Sequence, residues 1–511
     1  MSSDLACDWV TYHAERTPGE EVLRSINDGR SVTWAELDAR VARLSAVLAR
    51  ECRVRPGDRV VVLAESDPRV FELQFACMRI GAILAPLNWR LARGDLAPLI
   101  DHARPALIAF DDAVAETASE LAAERDIPTI AWSVPGAHSD YEQAIASASP
   151  NVKATVGTLD EPTHILYTTG STGRPKGVIL NRRAMIWNLL NIQQDKRVDR
   201  MSRMYNPLPL FHGGGLTALA NPILIAGGSI AIARRFDPDE GVRLLGDPAQ
   251  RITHFTGVLT IYQMLMDSPG WPTADFSAVR FMEFAGGKLP QHVFDAFAGK
   301  GVTLQAVYGA TETGPAVLQM PVADAARKLG STGRAVQHTR VRLVTEDGED
   351  AAAGEVGEIW VSGPSVTDGY WDSPEANAEA FEEGWFKTGD AAYRDDEGFY
   401  FVVDRFKNMY KSGGENVYPA EVEAVLIEHP NIAEIAILGV ADSKWGETGL
   451  AVLVTRDGSE MTVSAILEFC RDRIAKFKLP TRVVTVQSIP RYDSGKRDLQ
   501  QLRRTFAGTD D

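Results

Sequence analysis

Short apolar runs rich in β-branched residues alternate with helical patterns along most of this chain. Strands that alternate with helices build layered α/β folds, in which helices cover the faces of a largely parallel sheet. The sequence therefore predicts an α/β fold class. The clearest runs are RVVVLAE from Arg59, AILAPLN from Ala82, ALIAF from Ala106, THILYTT from Thr163, GSIAIA from Gly228 and TLQAVYG from Thr303.

The start of one helix can be located from local sequence. Thr33 and Glu36 stand at the spacing of a capping box, in which the two residues satisfy backbone N–H groups of the first turn. Apolar residues then recur at helical spacing, at Leu37, Val41, Leu44 and Leu48. This pattern predicts an amphipathic helix that buries one face against a sheet.

A change of pattern divides the chain into two domains, as expected because 511 residues exceed one comfortable hydrophobic core. Short strands between Val341 and Val403 indicate a small β subdomain, and a mixed pattern returns after Asp404, with a helix starting at Pro419. We predict a large N-terminal domain of layered α/β subdomains plus this β subdomain over 1–404. A small α+β C-terminal domain follows over 405–511.

The formal net charge of −16 argues against a general surface for nucleic acids or anionic membranes, so an anionic ligand must be held by a local pocket. The four cysteines show no CxxC or metal-ligand spacing. The N-terminus lacks signal-peptide features, and no run of eighteen apolar residues occurs. We expect a cytoplasmic protein with no nucleic-acid partner and no membrane span, and we leave a homodimer open.

The stretch YTTGSTGRPKGV, from Tyr167 to Val178, has the composition of a phosphate-binding loop. Glycines let backbone N–H groups approach an anion closely, and a lysine adds positive charge. A Walker loop would end in Gly-Lys-Ser or Gly-Lys-Thr, but here Pro175 precedes Lys176 and Gly177 follows it. A kinase- or GTPase-type phosphate site is therefore disfavoured. A flexible turn between two strands remains an alternative at this point.

Four further stretches are difficult to explain as scaffolding: VYGATETG from Val307, WFKTGDAAY from Trp385, DRFKNMYKSGGENVYPAEVE from Asp404 and IPRYDSGKRDL from Ile489. Singly, each has a plain explanation, such as a turn-capping aspartate or a solvated lysine. Together, in this order and after the Tyr167 loop, they resemble the adenylate-forming superfamily. That superfamily contains acyl-CoA synthetases, firefly luciferases and stand-alone adenylation domains. The resemblance covers about Tyr12 to Arg503.

The resemblance implies an AMP-forming acyl-CoA ligase that uses ATP, Mg²⁺ and coenzyme A. Such an enzyme joins a carboxylic acid to ATP as an acyl-adenylate, releases pyrophosphate, and then forms a CoA thioester with release of AMP. The first step brings two anions together, so it needs a metal ion, a cation at the α-phosphate and preorganised donors. An enzyme that loads a carrier protein instead of CoA stays an alternative, as does a non-catalytic or oxidative, luciferase-like relative.

The resemblance also implies roles for individual residues in the first step. Thr311 would bind the α-phosphate, Glu312 would hold magnesium, and Lys496 would be the catalytic cation between carboxylate and α-phosphate. Asp390 would accept hydrogen bonds from the ribose hydroxyls, and Arg405 would reinforce the ribose or phosphate contacts. A mobile lid would cover the β- and γ-phosphates with Thr168, Thr169, Gly170, Ser171, Thr172, Gly173 and Lys176. The adenine would lie against Gly286, Gly287, Val307, Tyr308 and Gly309.

In the second step, the resemblance implies rotation of the C-terminal domain about Lys407, which would move Lys496 out of the path of the thiol. Residues implied to contact CoA are Gly413, Gly414, Trp445, Phe477 and Lys478. Trp445 is explained equally well as a surface aromatic residue that packs against its neighbours and does not contact CoA.

The acyl pocket is expected beside His212, which matches a gate next to the reacting carboxylate. The other residues expected to line it are Gly213, Gly215, Phe255, Leu259 and Phe284. PLFHGGG and FTGVL contain no aspartate to bind an amino group, so a neutral organic acid is favoured over an amino acid. The sequence leaves open whether the acid is aromatic or a medium-chain fatty acid.

Overall fold

The structure is a computed structural model that describes residues 8–132, 141–149, 158–169, 175–405, 408–412, 415–442, 445–470, 473–491 and 497–507. Helices and sheets are layered in an α/β arrangement, which confirms the predicted fold class. The α-helices are Trp9–Arg16, Trp34–Ala46, Pro68–Ile80, Arg93–Ala103, Ala115–Ala123, Tyr141–Ser147, Arg182–Ile192, Gly213–Leu216, Ala220–Ile225, Pro238–Leu245, Leu259–Asp267, Gln291–Ala298, Pro374–Ala380, Pro419–Leu426, Val463–Phe469 and Leu499–Leu502.

The first sheet contains four of the predicted apolar runs. Its strands, in spatial order, are Thr129–Ala131, Pro105–Phe110, Arg59–Leu63, Ile83–Pro86, Pro162–Thr169 and Pro175–Asn181. Neighbours pair in parallel except for the last pair, which is antiparallel. Parallel strands are covered on both faces, which explains why their sequences are nearly continuous in apolar residues.

The second sheet has nine strands. In spatial order they are Arg334–Ala335, Gly314–Gln319, Leu304–Ala310, Phe281–Ala285, His254–Gly257, Arg203–Asn206, Ser229–Ile232, Glu21–Ser25 and Ser31–Thr33. The five strands from Leu304–Ala310 to Ser229–Ile232 run parallel to one another. Their carboxyl ends therefore lie at one edge of the sheet, where open α/β sheets bind ligands.

Two smaller sheets complete the described chain. One contains Arg340–Val344, Val356–Ser362, Trp385–Arg394 and Phe381–Glu382, with Tyr400–Arg405 paired to Trp385–Arg394. The other contains Glu415–Val417, Tyr410–Ser412, Gly446–Thr455 and Ile432–Asp442, with Arg482–Thr485 paired to Gly446–Thr455. By internal contacts the chain divides into two compact units, Met1–Val341 with Val361–Phe386 and Arg342–Trp360 with Lys387–Asp511.

The predicted capping box begins the helix Trp34–Ala46. The Thr33 hydroxyl accepts from the Glu36 N–H, and the Glu36 carboxylate accepts from the Thr33 N–H at 2.8 Å. The four apolar residues predicted to lie on the inner face are all fully buried. Within the described residues, no helix has the length and apolar character needed to cross a membrane.

Two core histidines, His164 and His254, are held in the neutral form. The ring Nε2 of His254 faces the Lys196 carbonyl at 2.8 Å, and that of His164 faces Gln74 Oε1 at 3.0 Å. Burial lowers the pKa of His164 to about 3 and the pKa of His254 to about 4. Between pH 6.5 and about 4, the unfolded chain binds protons at these positions that the folded chain does not.

We therefore expect the free energy of unfolding to fall on acidification below pH 6.5. Each histidine contributes about 1.4 kcal/mol per pH unit in this window. Burial raises the pKa of Asp111 to about 6, so between pH 6 and 3.8 the folded chain binds a proton there that the unfolded chain does not. This effect opposes the contribution of one histidine in that window. Urea unfolding from pH 7.5 to 4.5 measures the slope. His164→Gln should flatten it, whereas the exposed His292, replaced by Gln, should not. Equal slopes for the two variants would contradict the assignment.

Candidate active site

The carboxyl edge of the second sheet gathers several of the predicted site residues. Parallel strands end here at Asn206, Gly257, Ala285 and Ala310, and the loops carrying His212, Gly286 and Thr311 follow them. A Cβ atom built on Gly213 would lie 3.3 Å from Thr311 Oγ1. Gly213, which directly follows the predicted acyl gate His212, therefore lies close to the predicted α-phosphate residue.

Glu312 lies in the turn Thr311–Thr313, directly after the strand Leu304–Ala310. Its Oε1 accepts hydrogen bonds from the Thr168 hydroxyl at 3.4 Å and the Tyr370 hydroxyl at 3.1 Å. Thr168 belongs to the strand that enters the glycine-rich loop. The carboxylate predicted to bind the metal and the start of the loop predicted to bind phosphate thus meet, although 144 residues separate them.

Lys176 lies on the strand that leaves the glycine-rich loop, opposite Thr168 in the antiparallel pair. Its Nζ is 5.0 Å from the centroid of the Tyr370 ring, in a cation–π geometry. The loop residues Gly170, Ser171, Thr172 and Gly173 and the side chain of Thr169 lie outside the described residues.

His212 is exposed at the start of the short helix Gly213–Leu216. Its Nδ1 accepts from the Gly214 N–H at 3.0 Å, so a neutral ring carries its proton on Nε2. Gly215 has a separate reason to be glycine, because a Cβ there would lie 2.3 Å from the Pro209 carbonyl oxygen. Close backbone packing, rather than open pocket volume, requires a glycine at this position.

Of the residues predicted to contact adenine, Gly286 and Gly287 follow the strand Phe281–Ala285, and the other three lie in the adjacent parallel strand Leu304–Ala310. Gly286 has a φ of +83°, a conformation that favours glycine, and nothing lies within 4 Å of a Cβ built on Gly287. Val307 is buried and Tyr308 is partly exposed. Gly309 packs its backbone against Pro315, whose carbonyl oxygen lies 2.3 Å from a Cβ built on Gly309.

Phe255 and Phe284 lie in an aromatic cluster on one face of the second sheet. Phe255 stacks on Tyr205 with ring centroids 5.8 Å apart, and Tyr262 lies 6.1 Å from Phe284. Both phenylalanine side chains are fully buried, and Leu259 is half-buried at the start of the next helix. Their assignment to the acyl pocket stays a prediction.

Asp390 and Arg405 form an ion pair across neighbouring strands of the second compact unit. The two residues are register partners, and Arg405 Nε lies 2.9 Å from Asp390 Oδ1. Arg405 also donates to the Thr388 carbonyl at 3.2 Å. This arrangement fixes the carboxylate predicted to accept from the ribose.

The residues predicted to contact CoA are described in part. Trp445 is 42% exposed, and its backbone N–H donates to Asp442 Oδ1 at 2.9 Å. Lys478 is paired with Glu421, and its Nζ lies 5.9 Å from the Phe477 ring centroid. Besides the glycine-rich loop, four further predicted residues lie outside the described part of the chain: Lys407, Gly413, Gly414 and Lys496.

Two features of this region were not predicted from the sequence. Tyr370 stands in the stretch DGYWDSPEAN, whose aromatic pair was a local signal. Lys196 and Glu283 form a buried ion pair, and the Thr256 hydroxyl donates to Glu283 Oε1 at 3.0 Å. The available signal was a carboxylate inside the apolar strand sequence FMEFA.

The donor set at Glu312 fits magnesium. Mg²⁺ prefers oxygen ligands and is commonly bound through one or two carboxylates plus substrate phosphates. Glu312 supplies one carboxylate beside the loop predicted to bind phosphate. The described residues contain no group of three or more His, Cys, Asp or Glu side chains that would hold a metal alone. A shared protein–phosphate site is consistent with both observations.

Comparison with known proteins identifies two family matches. The model described as AMP-binding enzyme matches residues 10–371. The model described as AMP-binding enzyme C-terminal domain matches residues 421–496. Together they cover most of the chain, including both predicted domains.

Similar proteins match from end to end. A feruloyl-CoA synthase of an Amycolatopsis species is 38% identical over 498 residues, with 98% of each chain covered. The indoleacetate–CoA ligase of Aromatoleum aromaticum is 36% identical over 508 residues, again with 98% of each covered. Among solved structures, the o-succinylbenzoate CoA synthetase of Bacillus subtilis in complex with its acyl-adenylate intermediate has a TM-score of 0.86. It is 27% identical, and 98% of each chain is covered.

Proposed function

This chain belongs to the family of AMP-binding enzymes, and we propose that the acid it activates is aromatic. It is an AMP-forming acyl-CoA ligase: it joins a carboxylic acid to ATP with Mg²⁺, releases pyrophosphate, and transfers the acyl group to coenzyme A. The observation that carries the proposal is the end-to-end similarity to a feruloyl-CoA synthase and an indoleacetate–CoA ligase, whose named acids are both aromatic.

For the first half-reaction, we propose that Thr311 donates to the α-phosphate and that Thr168 and Lys176 bind the outgoing phosphates. Glu312 would hold magnesium, which when bound neutralises charge on the phosphate oxygens. His212, next in sequence to Gly213, would orient the carboxylate through its Nε2–H. Lys496 would stabilise the charge where the two anions meet. For the adenine, the ribose and the acyl group, we propose the same contact residues that the sequence predicts.

A panel of acids tests the substrate class. Pyrophosphate release should be faster, at equal low concentration, with ferulate, indoleacetate or benzoate than with octanoate, and should be weakest with an amino acid. CoA should be acylated in preference to a carrier protein bearing the same phosphopantetheine thiol. A clear preference for octanoate would overturn the proposal of an aromatic acid and leave the ligase activity intact.

Replacing Asp390 with alanine is expected to raise the KM for ATP and weaken AMP binding, because the ribose hydroxyls lose their acceptor. Arg405 would also lose its ion-pair partner. The parent should discriminate against 2′-deoxy-ATP, and the variant should not. Steady-state kinetics with both nucleotides measure this. If the variant discriminates as well as the parent, the ribose contact lies elsewhere.

We also propose that the domain boundary lies between 404 and 405 and that the C-terminal domain, 405–511, rotates about Lys407. Cytoplasmic location and a homodimer are further proposals, to be tested by fractionation and by light scattering.

A proline at position 407 tests the hinge. Proline fixes φ near −65° and removes an N–H, so Lys407→Pro should restrict rotation. Adenylate formation should stay near the parental rate, and thioester formation should collapse, because the conformer that serves the second step is lost. Single-turnover assays of each half-reaction measure this. Parental thioester formation would place the pivot at another residue.

A further inference from the structure

The segment Thr367–Trp371 connects the turn that carries Glu312 to the strand that carries Lys176. On one side, the Thr367 N–H donates to the Glu312 carbonyl at 2.7 Å. On the other, the Ile179 N–H donates to the Gly369 carbonyl at 3.0 Å, and the Trp371 N–H donates to the Gly177 carbonyl at 2.7 Å. The backbone of this segment therefore fixes the turn and the strand relative to each other.

Tyr370, at the centre of this segment, contacts both predicted functional side chains. Its hydroxyl donates to Glu312 Oε1 at 3.1 Å, and its ring lies 5.0 Å from Lys176 Nζ. The side chain is buried, and the Tyr370 N–H donates to Asn377 Oδ1 at 2.6 Å. These contacts hold the tyrosine in one orientation between the carboxylate and the ammonium group.

The hydrogen bonds at Glu312 are placed asymmetrically. The hydroxyls of Thr168 and Tyr370 both donate to Oε1. Within the described part of the chain, no hydrogen bond reaches Oε2. The carboxylate is thus oriented through one oxygen, and the other keeps its lone pairs for a ligand.

We propose that Tyr370 is a positioning residue of the reaction, which orients Glu312 for magnesium through its hydroxyl and Lys176 for phosphate through its ring. The inference rests on the proposed role of Glu312. Mg²⁺ requires near-ideal octahedral geometry, so the orientation of a single protein carboxylate matters strongly. Loss of a group that orients a metal ligand typically lowers metal affinity by about 10–100-fold.

Two substitutions separate the contributions of the hydroxyl and the ring. Tyr370→Phe removes the bond to Glu312 and keeps the ring beside Lys176, whereas Tyr370→Leu removes both. Isothermal titration of the full-length protein with ATP, in EDTA and over a series of Mg²⁺ concentrations, reads binding without turnover. Tyr370→Phe should raise the Mg²⁺ concentration for half-maximal enhancement of ATP binding by about 10–100-fold. It should leave ATP affinity in EDTA unchanged, whereas Tyr370→Leu should raise the same Mg²⁺ concentration and also lower ATP affinity in EDTA.

Tyr141→Phe is the matched control, because the Tyr141 hydroxyl donates to the buried Glu72 carboxylate at 2.8 Å. It removes the same kind of bond outside the site, so it should leave the Mg²⁺ dependence unchanged. If Tyr370→Phe behaves like this control while Glu312→Gln loses the Mg²⁺ enhancement, the positioning role is wrong. If Glu312→Gln also keeps the enhancement, the proposed metal ligand is wrong as well.

Discussion

Replacing Lys496 with alanine is expected to slow acyl-adenylate formation by at least about 10²-fold, the usual effect of losing one preorganised charge-stabilising group. Thioester formation from a supplied acyl-adenylate should stay close to the parental rate. The reason is electrostatic, since only the first half-reaction brings a carboxylate and an α-phosphate together. Single-turnover measurements of the two half-reactions, started separately, read out the difference.

Lys476→Ala provides the control, because Lys476 is an exposed lysine in the same C-terminal part of the chain. The Lys476→Ala variant should carry out both half-reactions at parental rates. An equal loss in both half-reactions of Lys496→Ala would show that the lysine does not act specifically where the two anions meet.

Features set by a few neighbouring residues could be predicted from the sequence. The capping box at Thr33 and Glu36 and the proline that begins the helix Pro419–Leu426 were both located correctly. Caps, prolines and apolar periodicity act within one or two turns of chain, so they are visible in a short window. The same holds for the apolar runs that form the central strands.

Pairings between distant residues could not be predicted in this way. Tyr370 and Glu312 are 58 residues apart, and Lys196 and Glu283 are 87 residues apart. The carboxylate in FMEFA indicated a buried charge that needs a partner. The identity of that partner depends on strand order and on which face of the sheet each side chain occupies. Both are set by the complete fold.

Lys196→Met is expected to destabilise the protein by about 3–5 kcal/mol, because it leaves the Glu283 carboxylate buried and uncompensated. The side chains of Lys196 and Glu283 are only 1% and 3% exposed, so water does not replace the lost partner. Amide hydrogen exchange in the strand Phe281–Ala285 should accelerate, since this method reads the local free energy of opening. Urea unfolding measured at the same pH gives the global effect.

A double variant separates the lost charge pair from lost packing. In Lys196→Met with Glu283→Gln no charge is left uncompensated, and the glutamine oxygen can still accept from the Thr256 hydroxyl, which now donates to Glu283 Oε1 at 3.0 Å. Because neutral replacements of a buried ion pair are often tolerated, the double variant should recover at least half of the loss. If it is as unstable as Lys196→Met, packing of the lysine stem rather than charge pairing stabilises this site. Recovery would mean that Lys196 stabilises this strand by pairing with the Glu283 charge. Glu283 is three residues before Gly286, so the ion pair lies on the strand that leads to the proposed adenine contact.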